Sequence, residues 1–538
     1  MSPATSIAEA LVRRLAEHGV RRIFGVPGGD CSLDLIDAAP RAGIEFVLTR
    51  TESAAAIMAA VTADLTGTPG VVMTTRGPGL ANAVNGIACA ALDRSPVLVL
   101  TDGHEPEHAH VSHQWFDQAA VLRPLVKAES RLDGTDPLAE LDTLLRTAAA
   151  APAGPVYLEL IGGRIRSPLP TQTGIAASAP PRDDPLPAPA DAAEALAVLR
   201  RSRLPVIIAG LQAVERDAAA SLRTLAARWR CPVLVTYKAK GAIPDDDPHA
   251  LGPFVGGAAE DATLRMADAI LLFGADPIEF PPQPWRYTAP VVEATTHAFD
   301  RSYVQPAATL VGDLAGTAAL LTEAVPASDW TRGQIAAARD GMRALALAPE
   351  DGALSPGRIV AEIAEAAPPG TRIAVDAGAH MLPVMALWPA LAPRGVLISR
   401  GLATMGYALP AAIAASLADP DRPVLAFTGD GGLMMCAAEL ATAAQLGCRI
   451  VVAVFNDACM SLIAVKQRRR QFAARGMDYG RSDFAAVARG FGCLGLRVDS
   501  EEQIAPALRE ALANRGPAVV DVAVDGEAYH AVVRRLRG

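Results

Sequence analysis

The fold is decided between residues 423 and 457. There, Pro423-Val424-Leu425-Ala426-Phe427-Thr428-Gly429-Asp430-Gly431-Gly432 leads through an Ala- and Leu-rich stretch into Arg449-Ile450-Val451-Val452-Ala453-Val454-Phe455-Asn456-Asp457. The two apolar runs read as buried parallel strands, and Leu433 to Leu446 as one helix with Gly447 at its C-cap. Such a βαβ unit is right-handed, so both strands end on one edge of the sheet, where open α/β sheets bind ligands. Asp430 and Asn456, 26 positions apart (456 − 430), would stand side by side there. A carboxylate, an amide oxygen and the backbone carbonyl of Ala458 make a hard-oxygen set suited to Mg2+. The glycines let backbone N–H groups approach phosphate oxygens, and a helix N-terminus favours their charge. The expected ligand is a diphosphate held through Mg2+.

At 538 residues the chain exceeds one core, and about three domains are expected. With 51% apolar and 20% charged residues it is a folded globular protein, and a net charge of −9 argues against a nucleic-acid partner. No apolar run approaches the about 18 residues that span a bilayer, so no membrane partner is expected. Ser6-Ile7-Ala8-Glu9 reads as a capping box opening an amphipathic helix, not as a signal peptide, and the expected location is cytoplasmic. Seven cysteines without a CxxC pair read as reduced core thiols.

Along the whole chain short Val/Ile/Leu runs alternate with Ala/Leu/Arg-rich helical stretches. The predicted class is α/β, with three doubly wound parallel-sheet domains. Their expected spans are 1–166, 191–326 and 345–538, with a Pro- and Ala-rich linker at 167–190 and Asp191 as the N-cap beyond it. The first and third blocks share a plan. The middle block contains the strand Pro205-Val206-Ile207-Ile208-Ala209, but Ala209-Gly210-Leu211 is a poor phosphate loop, so the block reads as structural.

Three strand-to-helix turns stand in order in the first block. They are Phe24-Gly25-Val26-Pro27-Gly28-Gly29-Asp30, Phe46-Val47-Leu48-Thr49-Arg50-Thr51-Glu52-Ser53 and Val71-Val72-Met73-Thr74-Thr75-Arg76-Gly77-Pro78-Gly79-Leu80-Ala81-Asn82. With the motif of the third block they resemble the acetolactate synthase and 2-oxoacid decarboxylase superfamily of thiamine diphosphate enzymes, over nearly the whole chain. The resemblance implies thiamine diphosphate and Mg2+ as cofactors, with a pyrimidine-binding first domain, a Rossmann-like central domain and a diphosphate-binding third domain. It implies that Glu52 shares its proton with N1′ of the aminopyrimidine, favouring the imino tautomer whose N4′ removes the thiazolium C2 proton. It further implies that Arg400-Gly401-Leu402-Ala403-Thr404-Met405 grips the pyrimidine, Ala403 within it and Met405 as the apolar wedge beneath the cofactor. Gly378, Ala379 and His380 join Gly429, Asp430, Gly431, Gly432, Asn456, Ala458 and Met460 as cofactor contacts, and Asp430, Asn456 and Ala458 are the metal ligands. Some members carry a flavin in the central domain; the incomplete fingerprint here means FAD is not expected.

Four of the nine histidines, His104, His108, His110 and His113, fall in one stretch whose spacing fits no standard zinc pattern. Gln114 matches the Gln of the Phe-Gln-Glu segment in acetolactate synthases. The pair His113-Gln114 also falls where the decarboxylases carry two histidines, and resembles a pair in carboxyethylarginine synthase. Asp30 resembles the active-site Asp of the decarboxylases. The catalytic candidates are thus Glu52, Asp30, His113 and Gln114. Simple decarboxylases keep an acid shortly after the metal-binding Asn, whereas Met460-Ser461-Leu462-Ile463-Ala464-Val465-Lys466-Gln467 has none. That favours ligation over aldehyde release, although His113 and Asp30 could also deliver protons. The expected function is an acetolactate synthase-like carboligase or lyase that decarboxylates a 2-oxo acid, pyruvate by default, and passes the acyl carbanion to an acceptor. The alternatives are a non-ligating decarboxylase, a flavin-dependent oxidase and an inactive binding paralogue; intact Glu52, Asp430 and Asn456 speak against the last. In the resembling family Glu52 and Asp430 meet across a two-fold interface, which implies a homodimer or homotetramer.

Overall fold

Strands buried along their whole length and mostly apolar, such as Val97–Asp102, Ala269–Phe273 and Ile450–Asn456, leave no face for water. They require helices on both sides, which is the setting of parallel sheets. The computed structural model describes residues 5–170, 185–214, 218–280, 283–347 and 354–538. Within them lie three six-stranded sheets.

The first contains β1 (Arg22–Val26), β2 (Glu45–Leu48), β3 (Gly70–Thr74), β4 (Val97–Asp102), β5 (Glu129–Ser130) and β6 (Val156–Leu160), ordered β2-β1-β3-β4-β6-β5. The central sheet contains β7 (Pro205–Ala209), β8 (Val233–Val235), β9 (Ala250–Pro253), β10 (Ala269–Phe273), β11 (Val291–Thr295) and β12 (Ala308–Val311), ordered β12-β11-β10-β7-β8-β9. The third contains β13 (Arg372–Val375), β14 (Val396–Ile398), β15 (Val424–Gly429), β16 (Ile450–Asn456), β17 (Leu494–Val498) and β18 (Ala518–Ala523), ordered β14-β13-β15-β16-β18-β17. All these pairings are parallel. The first and third sheets have the same relative order, as their shared plan predicted. The central one has the dinucleotide-fold order. In each sheet the order reverses between two neighbouring strands: β1 and β3, β7 and β10, β13 and β15.

By packing, the described residues fall into two compact units. One spans Met1–Pro181, Gly401–Asp421 and Cys436–Cys448; the other spans Arg182–Arg400, Arg422–Met435 and Arg449–Gly538. Two helices of the third sequence block, Ala408–Ala418 and Glu439–Gln445, therefore belong with the first sheet, and Ala408–Ala418 packs on the helix Glu52–Thr66.

Some local expectations are corrected. The stretch 433–446 is not one helix: Asp430–Cys436 and Glu439–Gln445 are separate, and Glu439 begins the second with its carboxylate hydrogen-bonded outside the helix. Gly447 does take the left-handed conformation expected after a helix, at φ 63°. Asp191 is no N-cap, because Pro189, whose fixed φ suits a first turn, starts the helix Pro189–Leu199 after Ala188. The predicted linker lies mostly at 171–184, outside the described residues. The capping box of Ser6 and Glu9 is present, and all seven cysteines are free. Among the described residues no helix is long and apolar enough to cross a membrane.

Candidate functional site

At the carboxyl edge of the third sheet, β13 and β15 release Asp376–His380 and Gly429–Gly432 at the reversal point, and β16 ends on Asn456. Asp430 is 3% exposed and Asn456 fully buried. Asp430 Oδ2 accepts the Ala458 N–H at 2.6 Å, and Oδ1 accepts the Gly431 N–H at 2.7 Å and the Tyr479 hydroxyl at 2.5 Å. Burial raises the pKa of this carboxyl against those bonds. The Asn456 side-chain amide donates to the Ser482 carbonyl and to Asp521 Oδ1, both at 2.8 Å. Its Oδ1 is buried without a partner. A polar atom in that state is costly, so its presence fits a cation ligand.

The glycines beside it are packed too closely against the protein's own side chains to carry a Cβ. A Cβ on Gly432 would come within 2.4 Å of Asp376 Oδ2, and one on Gly378 within 2.6 Å of the His380 ring. His380 is buried against Phe455, with ring centroids 5.6 Å apart, and its Nε2 has no partner. Burial holds its pKa down to about 4, so the ring is neutral at pH 7. Ala458 carries a positive φ of 61°, and its carbonyl accepts the Tyr479 N–H at 3.3 Å. The Met460 N–H donates to the Met477 carbonyl at 2.9 Å. Asp430, Asn456 and the Ala458 carbonyl are the oxygens at this edge that could take a cation, and Gly378, Ala379, His380 and the 429–432 turn the groups that could meet a diphosphate.

Three contributors escaped the sequence reading. Asp521, fully buried in β18, accepts from Asn456, from the Phe484 N–H at 3.0 Å and from Arg497 at 2.8 Å. A single Asp inside the run Ala518-Val519-Val520-Asp521-Val522 was the signal for it. Tyr479 arrives through an antiparallel bridge of Cys459 with Asp478, which no local pattern announces. Asp457, raised to about 6 by burial, bonds to Ser461; with Asp478 it places carboxylates beside the segment 460–467 that carries none itself.

In the first unit Glu52 is the first residue of its helix and 8% exposed. Thr51 caps that helix by accepting the Ala54 N–H at 3.2 Å. Glu52 Oε2 accepts the Asn82 side-chain amide at 2.5 Å, and a Cβ on Gly79 would stand 3.3 Å from Oε1. Thr404 donates to Asn85 at 3.1 Å, on the same helix as Asn82, so Ala403 and Met405 belong beside that helix. Ala403 is exposed with φ 54°, and Met405 is half-buried.

Asp30 lies at the first sheet's reversal point with Arg76 and with Arg166, the latter at 2.6 Å. Burial raises its pKa, but the hydrogen bonds and charges of Arg166 and Arg76 outweigh that and leave it below the ordinary carboxylate value. His113 and Gln114 are exposed, Gln114 at φ 65°. The buried glutamine here is Gln118, which accepts the Gly77 N–H at 2.9 Å and donates to the Asp102 carbonyl at 3.2 Å. Among the described residues no group of three or more His, Cys, Asp or Glu side chains is placed to hold a metal.

The central sheet's reversal point is filled from within. Glu279, 3% exposed, accepts the Leu211 N–H at 2.7 Å, the Asp276 N–H at 3.1 Å and the Thr236 hydroxyl at 2.6 Å. A Cβ on Gly210 would meet Ala275 at 2.2 Å and Glu279 Oε2 at 2.7 Å.

The chain is also similar to known proteins along its length. Residues 5–121 match the thiamine pyrophosphate enzyme N-terminal TPP binding domain, 192–321 the central domain and 376–522 the C-terminal TPP binding domain. The chain is 31% identical to an acetolactate synthase of Bacillus subtilis, over 96% of this chain and 93% of that protein. It is 30% identical to a catabolic acetolactate synthase of Raoultella terrigena, over 96% and 95%. It is 28% identical to the large subunit of acetolactate synthase isozyme 1 of Escherichia coli, over 97% and 94%. A complete set of three domain matches, full-length similarity to acetolactate synthases and a glycine-lined site with an unpartnered amide oxygen together place the chain in the thiamine pyrophosphate enzyme family, as a thiamine diphosphate-dependent, acetolactate synthase-like enzyme.

Proposed function

We propose that this enzyme is a Mg2+-dependent carboligase that decarboxylates a 2-oxo acid, pyruvate by default, and transfers the acyl unit to a carbonyl acceptor. The observation that carries it is the buried Asn456 Oδ1, oriented by Asp521 and without a partner, at the sheet edge where Asp430 follows β15. Asp430, Asn456 and the Ala458 carbonyl would hold Mg2+. Gly378, Ala379, His380, the 429–432 turn and Met460 would surround the diphosphate, and Ala403 and Met405 the pyrimidine side. Thiamine diphosphate, when bound, supplies a carbon that takes up the electron pair released with CO2. Glu52, held by Asn82, keeps a proton at the pyrimidine N1′. Asp30 serves as the charge partner of Arg76 and Arg166, since a carboxylate so paired is a poor proton source near neutral pH. His113 and Gln114 stand as candidate substrate contacts on the exposed rim.

The spans 1–166, 191–326 and 345–538 are the domains of this reading. The central one binds no flavin, because Glu279 already occupies with a carboxylate the place where dinucleotide folds seat a diphosphate. The active form is a homodimer or homotetramer in the cytoplasm. Non-ligating decarboxylation is the second reading, favoured by Asp457 and Asp478 beside the segment 460–467. Incubation with a panel of 2-oxo acids, with and without carbonyl acceptors, distinguishes the two. Condensation products with CO2 support ligation; stoichiometric free aldehyde in every arm overturns it.

A further inference from the structure

The chain direction changes at Arg50–Thr51, between β2 and the helix that begins with Glu52. Thr49 still bonds as a strand residue, its N–H donating to the Gly25 carbonyl at 3.1 Å. Arg50 and Thr51 instead donate their N–H groups to one side chain, Glu439. Oε1 accepts the Thr51 N–H at 2.9 Å and the Arg50 N–H at 3.0 Å, and it also receives the Thr51 hydroxyl at 3.3 Å. Oε2 accepts the Thr442 hydroxyl at 2.7 Å. Glu439 is fully buried. The contact spans 388 positions (439 − 51) within the first compact unit.

We propose that Glu439 is a positioning residue for Glu52. The proposal rests on the reading of Glu52 given above. Both peptide N–H groups immediately before Glu52 are tied to this carboxylate, and the Thr51 hydroxyl, which accepts the N–H of Ala54 two residues after Glu52, touches the same carboxylate. With its backbone fixed on both sides, Glu52 has only side-chain torsions left, and the Asn82 amide holds those. A proton-sharing acid misplaced by a fraction of a bond length loses much of its effect.

The test uses the full-length enzyme with Glu439→Ala and Glu439→Gln, each alone and combined with Glu52→Gln. One readout is amide hydrogen exchange of the peptide spanning Arg50 to Ser53 in cofactor-free protein. The other is exchange of the C2 proton of bound thiamine diphosphate. Glu439→Ala should speed amide exchange in that peptide and slow C2 exchange by about tenfold or more, as expected for a displaced catalytic group. Glu439→Gln, whose amide oxygen still accepts from Arg50 and Thr51, should restore both. In the Glu52→Gln background, Glu439→Ala should cost nothing further in C2 exchange. If the two losses multiply in full, or if Glu439→Ala loosens the peptide without slowing C2 exchange, the proposal is overturned. Should Glu439→Ala fail to fold, Glu439→Asp, one methylene shorter, makes the same comparison. Wild-type C2 exchange in Glu52→Gln alone would sink the Glu52 reading itself, a distinct outcome.

Discussion

Asp430 and Ala458 are joined by a hydrogen bond of 2.6 Å from the Ala458 N–H to the Asp430 carboxylate. It ties the loop after β16 to the turn after β15, and Ala458 holds a left-handed backbone at φ 61° to make it. A non-glycine residue there costs on the order of 1 kcal/mol or more, and such strain collects at functional sites. Asp430→Ala removes both a proposed metal oxygen and this tie, and Asn456→Ala removes the unpartnered Oδ1. Each variant should lose thiamine diphosphate retention, as measured by equilibrium dialysis over a Mg2+ series. Unchanged affinity and Mg2+ dependence in both would refute the ligand assignment.

Glu52→Gln keeps shape and the neighbourhood of Asn82 but cannot give up a carboxylic proton. Turnover should fall by about 10²-fold or more, the usual scale for losing a general acid, with the melting temperature preserved. A variant that turns over like the parent would leave Glu52 as a helix-start residue only.

Asp521 stands one step behind the proposed metal ligands, accepting a hydrogen bond from Asn456. Asp521→Asn cannot accept from Asn456, Phe484 and Arg497 with equal charge, so Asn456 loses its orientation. Mg2+ affinity should drop by roughly 10- to 100-fold, the range for residues that orient metal ligands. Full retention of affinity, read by titration calorimetry in the presence of cofactor, would show that Asn456 needs no such support.

Burial pushes the Glu279 carboxyl up to about 7 from an ordinary 4.5. Between those values the folded chain binds more protons than the unfolded one, so this group's contribution to stability falls as pH rises. Glu260, also about 7, acts in the same direction. Glu279→Gln should flatten the decline in urea midpoint between pH 5 and 7 without abolishing it. An identical slope in parent and variant would contradict a buried acid at this position.

Glu52 and Asp430 lie in different compact units of the chain. If two chains build each site, mixing inactive Glu52→Gln with inactive Asp430→Ala should restore activity. A mixed dimer puts both lesions in one site and frees the other, giving up to about half the normal activity per mixed dimer by symmetry. Demonstrated subunit exchange with no recovered activity would mean that each site is built within one chain.

Much of this was legible in one dimension. Strand burial, the α/β class and the Asp430–Asn456 spacing follow from composition and periodicity, because parallel strands must be apolar throughout and a βαβ unit has one hand. Resemblance of ordered motifs supplied the chemistry proposed for Glu52. Harder to read were the partners. Asp521 lies 65 positions beyond Asn456, and Tyr479 49 beyond Asp430, each brought back by sheet order or by a bridge rather than by any local pattern.

The sequence by itself determined which residues can form strands, helices and a hard-oxygen set, since those depend on side-chain type and near-neighbour spacing. Only the tertiary structure decided which groups are satisfied and which are not. It paired Asp30 with two arginines, filled the central reversal point with Glu279, gave the N–H groups before Glu52 to Glu439, and left the Asn456 oxygen without a partner. The reason is that a hydrogen bond's value depends on whether a second partner from elsewhere in the chain arrives within about 3 Å, and that is fixed by packing alone.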